Sequence, residues 1–363
     1  MSIDETSDTG DGSAAAEITG RQDQQLERAL HEWRDQLRGR VAVVTGGARG
    51  IGRSISEGLV DAGVRVVAAD KSWDGADDFR KHLEAADGLA VEVDITDDAQ
   101  LDSAFEAVLQ RFGTVDILIN NAALVSETLF APVGRRNTLD TTDQDWEVMF
   151  EVNLFGTLKV IRRFIKPMLE QKRGSIINVV SSGILTESAG GGYHALRPWT
   201  VEMPYQATKA ALATLGFYLA EEVRGDGIAI NSFMPGHTRA SWFDDTARAF
   251  NDMGMVYFMR PVVPEHVLPI TFFLSAQGGG GVSGRLYQVP EWNFDHGYGD
   301  YAAWQDHDLP ADMEQRYARL EAATPAYDRA GVPQLPFDAQ SALFGVALGK
   351  LMAEDGAAGG STE

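Results

Sequence analysis

The sequence predicts an α/β protein built on a doubly wound parallel seven-stranded sheet. Three observations carry that expectation. Short apolar runs alternate with helical stretches from Val41 to Val289. Those runs are apolar throughout rather than at every second position, as in strands covered on both faces. The first is followed at once by a glycine-rich turn and a helix, VAVVTGGARGIG over Val41–Gly52. There is one such unit and no repeat, so a single domain with appendages is expected.

Taken in order, residues 1–20 carry Asp4, Glu5, Asp8, Asp11 and Glu17 without a Lys or Arg, and read as a disordered acidic tail. Over 21–38, Leu26, Leu30, Trp33 and Leu37 recur at helical spacing and predict an amphipathic helix packed on the body or on a neighbouring subunit. The predicted strands are Val41–Thr45, Val64–Ala69, Leu89–Val93, Val115–Ile119, Ser175–Val180, Ile228–Phe233 and Arg285–Val289. Helices are predicted around Ile51–Ala62, Ala99–Phe112, Asp145–Gln171, Tyr205–Val223 and Pro264–Leu274. Residues 39–290 thus form the main domain. After Val289 the alternation stops, and 291–363 read as an extension too small and interrupted to fold alone, wrapping the core. In it, Pro310 opens a helix with Met313, Tyr317 and Leu320 on one face, and a last helix spans about Ala339–Met352.

Composition excludes several functions. The formal net charge is −22, from 53 acidic against 31 basic residues in a chain of 363, which disfavours nucleic acid and anionic membranes as partners. With no cysteine there is no disulfide, thiol catalysis or Cys-type zinc site. No apolar run is long enough to span a bilayer and no signal peptide is recognisable, so a cytoplasmic enzyme is expected. His194, His237 and His296 have no metal-ligand spacing, and no metal is expected.

The chemistry begins at the glycine turn. Gly46, Gly47, Gly50 and Gly52 let the backbone approach a pyrophosphate, and the following helix offers its free N–H groups to the negative charge. A plain structural turn is the alternative. Asp70 closes the second strand about 20 residues on, where a carboxylate accepts from an adenosine ribose and repels a 2′-phosphate. That favours NAD, while Arg49 and Lys71 pull toward NADP. Further along, Tyr205 and Lys209 lie four apart on a predicted helix and so share a face. A tyrosine of pKa about 10 is a poor base near neutrality, and an adjacent cation lowers that value.

Over about Gly39–Val289 this ordered set resembles the classical short-chain dehydrogenase/reductase family, whose Rossmann-type fold agrees with the strand pattern. The resemblance rests on Thr-Gly-x-x-x-Gly-x-Gly from Thr45, Asn120-Asn121-Ala122-Ala123, VNLFGT around Asn153, GSIINVVSSG, Tyr205-Gln-Ala-Thr-Lys209 and Pro235-Gly236-His237-Thr238. Ala123 departs from the family's glycine. The resemblance implies cofactor contacts from Thr45, Gly46, Arg49, Gly50, Ile51, Gly52, Asp70, Asp94, Ile95, Asn120, Ala122, Tyr205, Lys209, Pro235, Gly236 and Thr238. For Asp94, helix capping is the other reading. It implies a catalytic set of Asn153, Ser181, Tyr205 and Lys209, with Asn153 ordering a relay water. Ser181 follows from ungapped matching. Ser182 stays the alternative, since adjacent strand residues face opposite ways.

The expected activity is hydride transfer between NAD and a secondary alcohol or its ketone, in a homo-dimer or homo-tetramer. The alternatives are an NADP-dependent ketoreductase and a non-catalytic dinucleotide sensor. The 24 positions from Ser181 to Tyr205 exceed the family's habit and imply an insertion, Ser188–Pro204, bearing Tyr193, His194, Leu196 and Trp199. With Glu291–Trp304, it is expected to build a deep apolar pocket in which Tyr193, Trp199 and Trp292 meet a bulky cyclic or aromatic alcohol. Packing of Trp292–Trp304 against the core is the competing expectation.

Overall fold

The computed structural model describes residues 11–131, 134, 136–184, 203–252 and 260–323. Seven parallel strands form one sheet in the order β3-β2-β1-β4-β5-β6-β7. They are β1 Val41–Thr45, β2 Arg65–Asp70, β3 Leu89–Glu92, β4 Ile117–Asn120, β5 Gly174–Val179, β6 Ile228–Met234 and β7 Leu286–Gln288. The order reverses between β1 and β4, the place where a crevice opens beyond the carboxyl ends of parallel strands.

The apolar runs are explained by cover on both faces. Ala42, Val44, Ile117 and Ile119 face one core, which also holds Leu59 of α2 (Gly50–Asp61) and Ile270 of the later helix Leu268–Ser275. Val43 and Leu118 face the other core, against Leu101 and Val108 of Asp98–Phe112 and Val160 and Phe164 of Thr157–Gln171.

Several boundaries and elements differ from the sequence expectations. The first helix, α1, runs over Asp11–Leu37 and begins inside the stretch expected to be a disordered tail. Ala14, Ala15 and Ala16 are strong helix formers, and acidic residues suit a helix N-terminus. The helix expected over Asp145–Gln171 begins at Asp143 with a capping box from Thr142 and passes through a π-helical turn at Glu151–Gly156. Among the helices that went unanticipated are Asp77–Ala85 and Phe243–Asp252. Both are short and charge-rich, with an inward stripe reduced to Phe79 and Leu83 in one and to Phe243, Ala247 and Phe250 in the other.

The segment after β7 packs on the α1 side of the sheet. Trp33 of α1 meets Phe273 edge-on with ring centres 5.5 Å apart. Gln22 donates to the carbonyls of Ala303 and Gln305, both at 3.1 Å. Arg28 donates to Gly297 at 2.7 Å, and Tyr298 donates to Glu32 at 2.7 Å. The helix expected around Ala339–Met352 lies outside the described residues. No described helix is long and apolar enough to cross a membrane.

Candidate active site

The carboxyl ends of the central strands open on one cleft of about 540 Å³. Its floor is the glycine turn. Gly46 sits at φ +64°, and a Cβ there would come within 2.9 Å of the Asn121 side chain. A Cβ on Gly52 would lie 2.0 Å from the Gly46 carbonyl oxygen, so only glycine lets α2 fold back onto the loop. Arg49, the residue before α2, gives it no side-chain cap. The first-turn N–H groups therefore face the cleft as a ready anion site. Thr45 and Asn121 brace the turn from beneath. Thr45 Oγ1 accepts from the backbone N–H of Asn121 at 3.1 Å and of Ala122 at 3.2 Å. Asn121 Nδ2 donates to the carbonyls of Thr45 and Gly46.

At one end of the cleft stand two carboxylates. Asp70 accepts from Ala48 N–H at 3.0 Å and from Ser72 N–H at 3.3 Å, which points it along the turn. Arg49, half exposed, reaches to 4.0 Å of it and donates to the Ser72 carbonyl. Asp94 pairs with Lys71 at 2.7 Å and accepts from Thr96 N–H and Oγ1–H at 2.9 and 2.7 Å. Burial acts to raise the Asp94 pKa, but Lys71 and Thr96 outweigh it and hold the carboxyl below its usual range.

The other end carries the titratable pair. Tyr205 begins the helix Tyr205–Glu222, and Lys209, one turn on, sits with its Nζ 5.7 Å from the centre of the Tyr205 ring. Lys209 is buried, donates to the Val179 carbonyl at the end of β5 at 2.9 Å, and has its pKa pushed down to about 8 by that burial. Ser181 and Ser182 both border the cleft. The strand alternation expected to separate them does not apply, because β5 ends at Val179 and the chain curls into a short turn at residues 182–184. Ser181 Oγ accepts from Gln206 Nε2 at 3.0 Å and, at a longer 3.4 Å, from Gly183 N–H.

The turn after β6 completes this end, with Pro235, Gly236 and Thr238 on the cleft wall. Thr238 Oγ1 is buried without a protein partner among the described residues. His266 props the turn from behind, with Nε2 2.6 Å from the Pro235 carbonyl and Nδ1 2.8 Å from that of Val263. Complete burial pushes its pKa down to about 4, against the pull of both carbonyls toward the protonated ring.

Beyond the turn, Trp242 borders the cleft, as do Leu124 and Val125. The wall is latched by the C-terminal extension. Arg239 pairs with Asp306 at 3.1 Å and donates to the Asp308 carbonyl at 2.7 Å. Arg260, buried, pairs with Glu314 at 2.7 Å and Glu321 at 2.8 Å.

Several expected site residues lie elsewhere. Trp292 does not border the cleft. It is buried in the core, stacked on His296 at 4.0 Å and against Phe273 at 5.4 Å, because β7 runs straight into a helix, Val289–Asp295, that turns toward α1. Asn120 points into the sheet, where its Nδ2 donates to Asn178 at 2.9 Å; its neighbour Asn121 borders the cleft in its place. Thr45 and Gly52 shape the turn from outside the cleft wall. Asn153, in the π-helical turn, spends its amide on protein. Its Oδ1 accepts from Leu124 N–H at 2.7 Å, and its Nδ2 contacts Leu124 O at 2.9 Å and Thr208 Oγ1 at 3.0 Å. Tyr193 and Trp199 lie outside the described residues. Besides Asn121, two further residues were missed. Trp242 was signalled by an aromatic pair closely following the Pro-Gly turn, and Gln206 by its place beside Tyr205.

The sequence pattern of the family described as short chain dehydrogenase matches residues 40–249. Fluoren-9-ol dehydrogenase of Terrabacter sp. (strain DBF63) is 69% identical over 350 residues, 96% of this chain and 97% of that protein. The 3-oxoacyl-[acyl-carrier-protein] reductase of Escherichia coli (strain K12) is 31% identical over 214 residues, 59% of this chain and 78% of that one. Among solved structures, L-sorbose reductase from Gluconobacter frateurii, complexed with NADPH and L-sorbose, superimposes with a TM-score of 0.59 at 26% identity. That match covers 69% of this chain and 95% of that one.

Proposed function

We propose, since this chain belongs to the short-chain dehydrogenase family, that it oxidises a bulky cyclic secondary alcohol of the fluoren-9-ol type to its ketone. The observation that carries the reading is the buried Lys209 one helical turn from Tyr205 on the wall of a dinucleotide-sized cleft. A bound nicotinamide dinucleotide supplies the hydride acceptor. Its fit rests on the uncapped α2 N-terminus for a pyrophosphate, Asp70 and Asp94 at the adenosine end, and the unpartnered Thr238 hydroxyl at the nicotinamide end.

In this reading Lys209 lowers the Tyr205 pKa by its charge, and the Tyr205 phenolate takes the hydroxyl proton. Ser181 donates a hydrogen bond to the same oxygen. Asn153 serves by clamping Leu124 on the cleft wall through both ends of its amide. Trp242 supplies the flat wall for an aromatic ring system. NAD is favoured over NADP because a 2′-phosphate beside Asp70 meets a carboxylate that Arg49, 4.0 Å away and half exposed, only partly offsets. Exposed Phe155, Phe217 and Tyr218 on packed elements support a homo-oligomer. The test is direct. Purified protein should reduce NAD with fluoren-9-ol far faster than with an ethanol-sized alcohol or with NADP. Absence of fluorenone formation with either dinucleotide would overturn the assignment.

A further inference from the structure

Behind the cleft wall, next in sequence to Tyr205, lies a side chain that touches Ser181 and not the cleft. Gln206 is buried, does not border the cavity, and brings its Nε2 to 3.0 Å of Ser181 Oγ. A hydroxyl has one proton to give and two lone-pair positions that accept. Here both accepting positions face protein donors, the Gln206 amide and, more weakly, the Gly183 N–H at 3.4 Å. The Ser181 proton is then the part left for the cleft. Glycine at 183 makes room for this contact, since a Cβ there would come within 2.3 Å of Gln206 Nε2.

We propose that Gln206 is a positioning residue that sets the direction of the Ser181 hydrogen bond. By donating to Oγ from behind, it obliges the hydroxyl to donate forward, to the oxygen of the alcohol and of the ketone it becomes. The inference rests on the reading of Ser181 as the substrate-oxygen partner.

Gln206→Glu tests it with little change in shape. A carboxylate accepts where the amide donated, so Ser181 turns its proton backward and the substrate oxygen loses its donor. Turnover of fluoren-9-ol with NAD should fall about tenfold, the scale of one misdirected hydrogen bond, with the KM for NAD unchanged. As pH is lowered the carboxyl gains a proton and can donate again, so activity relative to the parent enzyme at the same pH should recover. A merely structural defect has no such pH signature. Gln206→Met, which lacks the donor, should lose activity without that recovery, and it stands in where the carboxylate disturbs folding. In a Ser181→Ala background neither substitution should cost more than about twofold further. Turnover of Gln206→Glu equal to the parent at every pH, or losses that simply add to those of Ser181→Ala, would overturn the inference while leaving the serine in place. Full activity of Ser181→Ala would remove the serine from the reaction and the inference with it.

Discussion

Replacing Lys209 by methionine should make the cofactor-free protein more stable while abolishing its activity. Methionine keeps the unbranched apolar stem and removes the ammonium. Burial lowers the Lys209 pKa from 10.5 to about 8, and at about 1.4 kcal/mol per pH unit that displacement is worth roughly 3 kcal/mol against the folded state near neutrality. The substitution also deprives the Val179 carbonyl of its 2.9 Å donor, a loss of about 1–3 kcal/mol. The net gain is on the order of 1 kcal/mol, about one to two degrees in Tm for a chain of this size. Because the lysine pKa is depressed, the unfolded chain holds a proton between pH 8 and 10.5 that the folded protein has released. Parent stability therefore rises across that window relative to the variant, whose advantage near pH 7 should shrink and then reverse. Thermal melts of both proteins without cofactor, at about pH 7 and pH 10, read this directly. Equal responses of the two proteins to pH would refute an ammonium buried against its own solvation, and with it the electrostatic pressure on Tyr205.

Two further outcomes follow from the cleft. Asp70→Ala should narrow the preference for NAD over NADP, read as the ratio of dissociation constants; an unchanged ratio would remove Asp70 from cofactor choice. Trp242→Ala should raise the KM for fluoren-9-ol several-fold while leaving NAD affinity and the turnover of a small secondary alcohol in place, as expected when about 100–200 Å² of aromatic wall is lost. An unaltered KM would place the aromatic substrate elsewhere.

What could be read from the sequence follows from how locally each feature is specified. The strand-turn-helix around Gly46–Gly52 and the Tyr205–Lys209 pair need only one helix and one turn to bring their groups together, and both line the cleft. Asp70, Asp94 and the Pro235–Thr238 turn sit at strand ends, where a parallel sheet delivers them to one edge. The misplacements occur where neighbours along the chain part company in space. Asn120 is the last residue of β4 and faces Asn178, while Asn121 is free of the sheet and turns to the glycine loop. Ser181 and Ser182 lie past the end of their strand, so parity says nothing about them. Trp292 is aromatic and follows a strand end, yet Pro290 starts a helix there that carries it into the core beside α1. The grip of the extension on Arg239 and Arg260 joins residues more than 50 positions apart and leaves no periodic trace.

The central claim is that Tyr205, charged by Lys209, takes the proton of a bulky cyclic secondary alcohol, and Tyr205→Phe measures it most directly. The substitution removes one oxygen from the cleft wall and leaves the helix, Lys209 and the glycine turn in place. Turnover of fluoren-9-ol should fall by about a hundredfold or more, the scale of a lost general base, while the dissociation constant for NAD changes little. A Tyr205→Phe enzyme that forms fluorenone at nearly the parent rate would contradict the account.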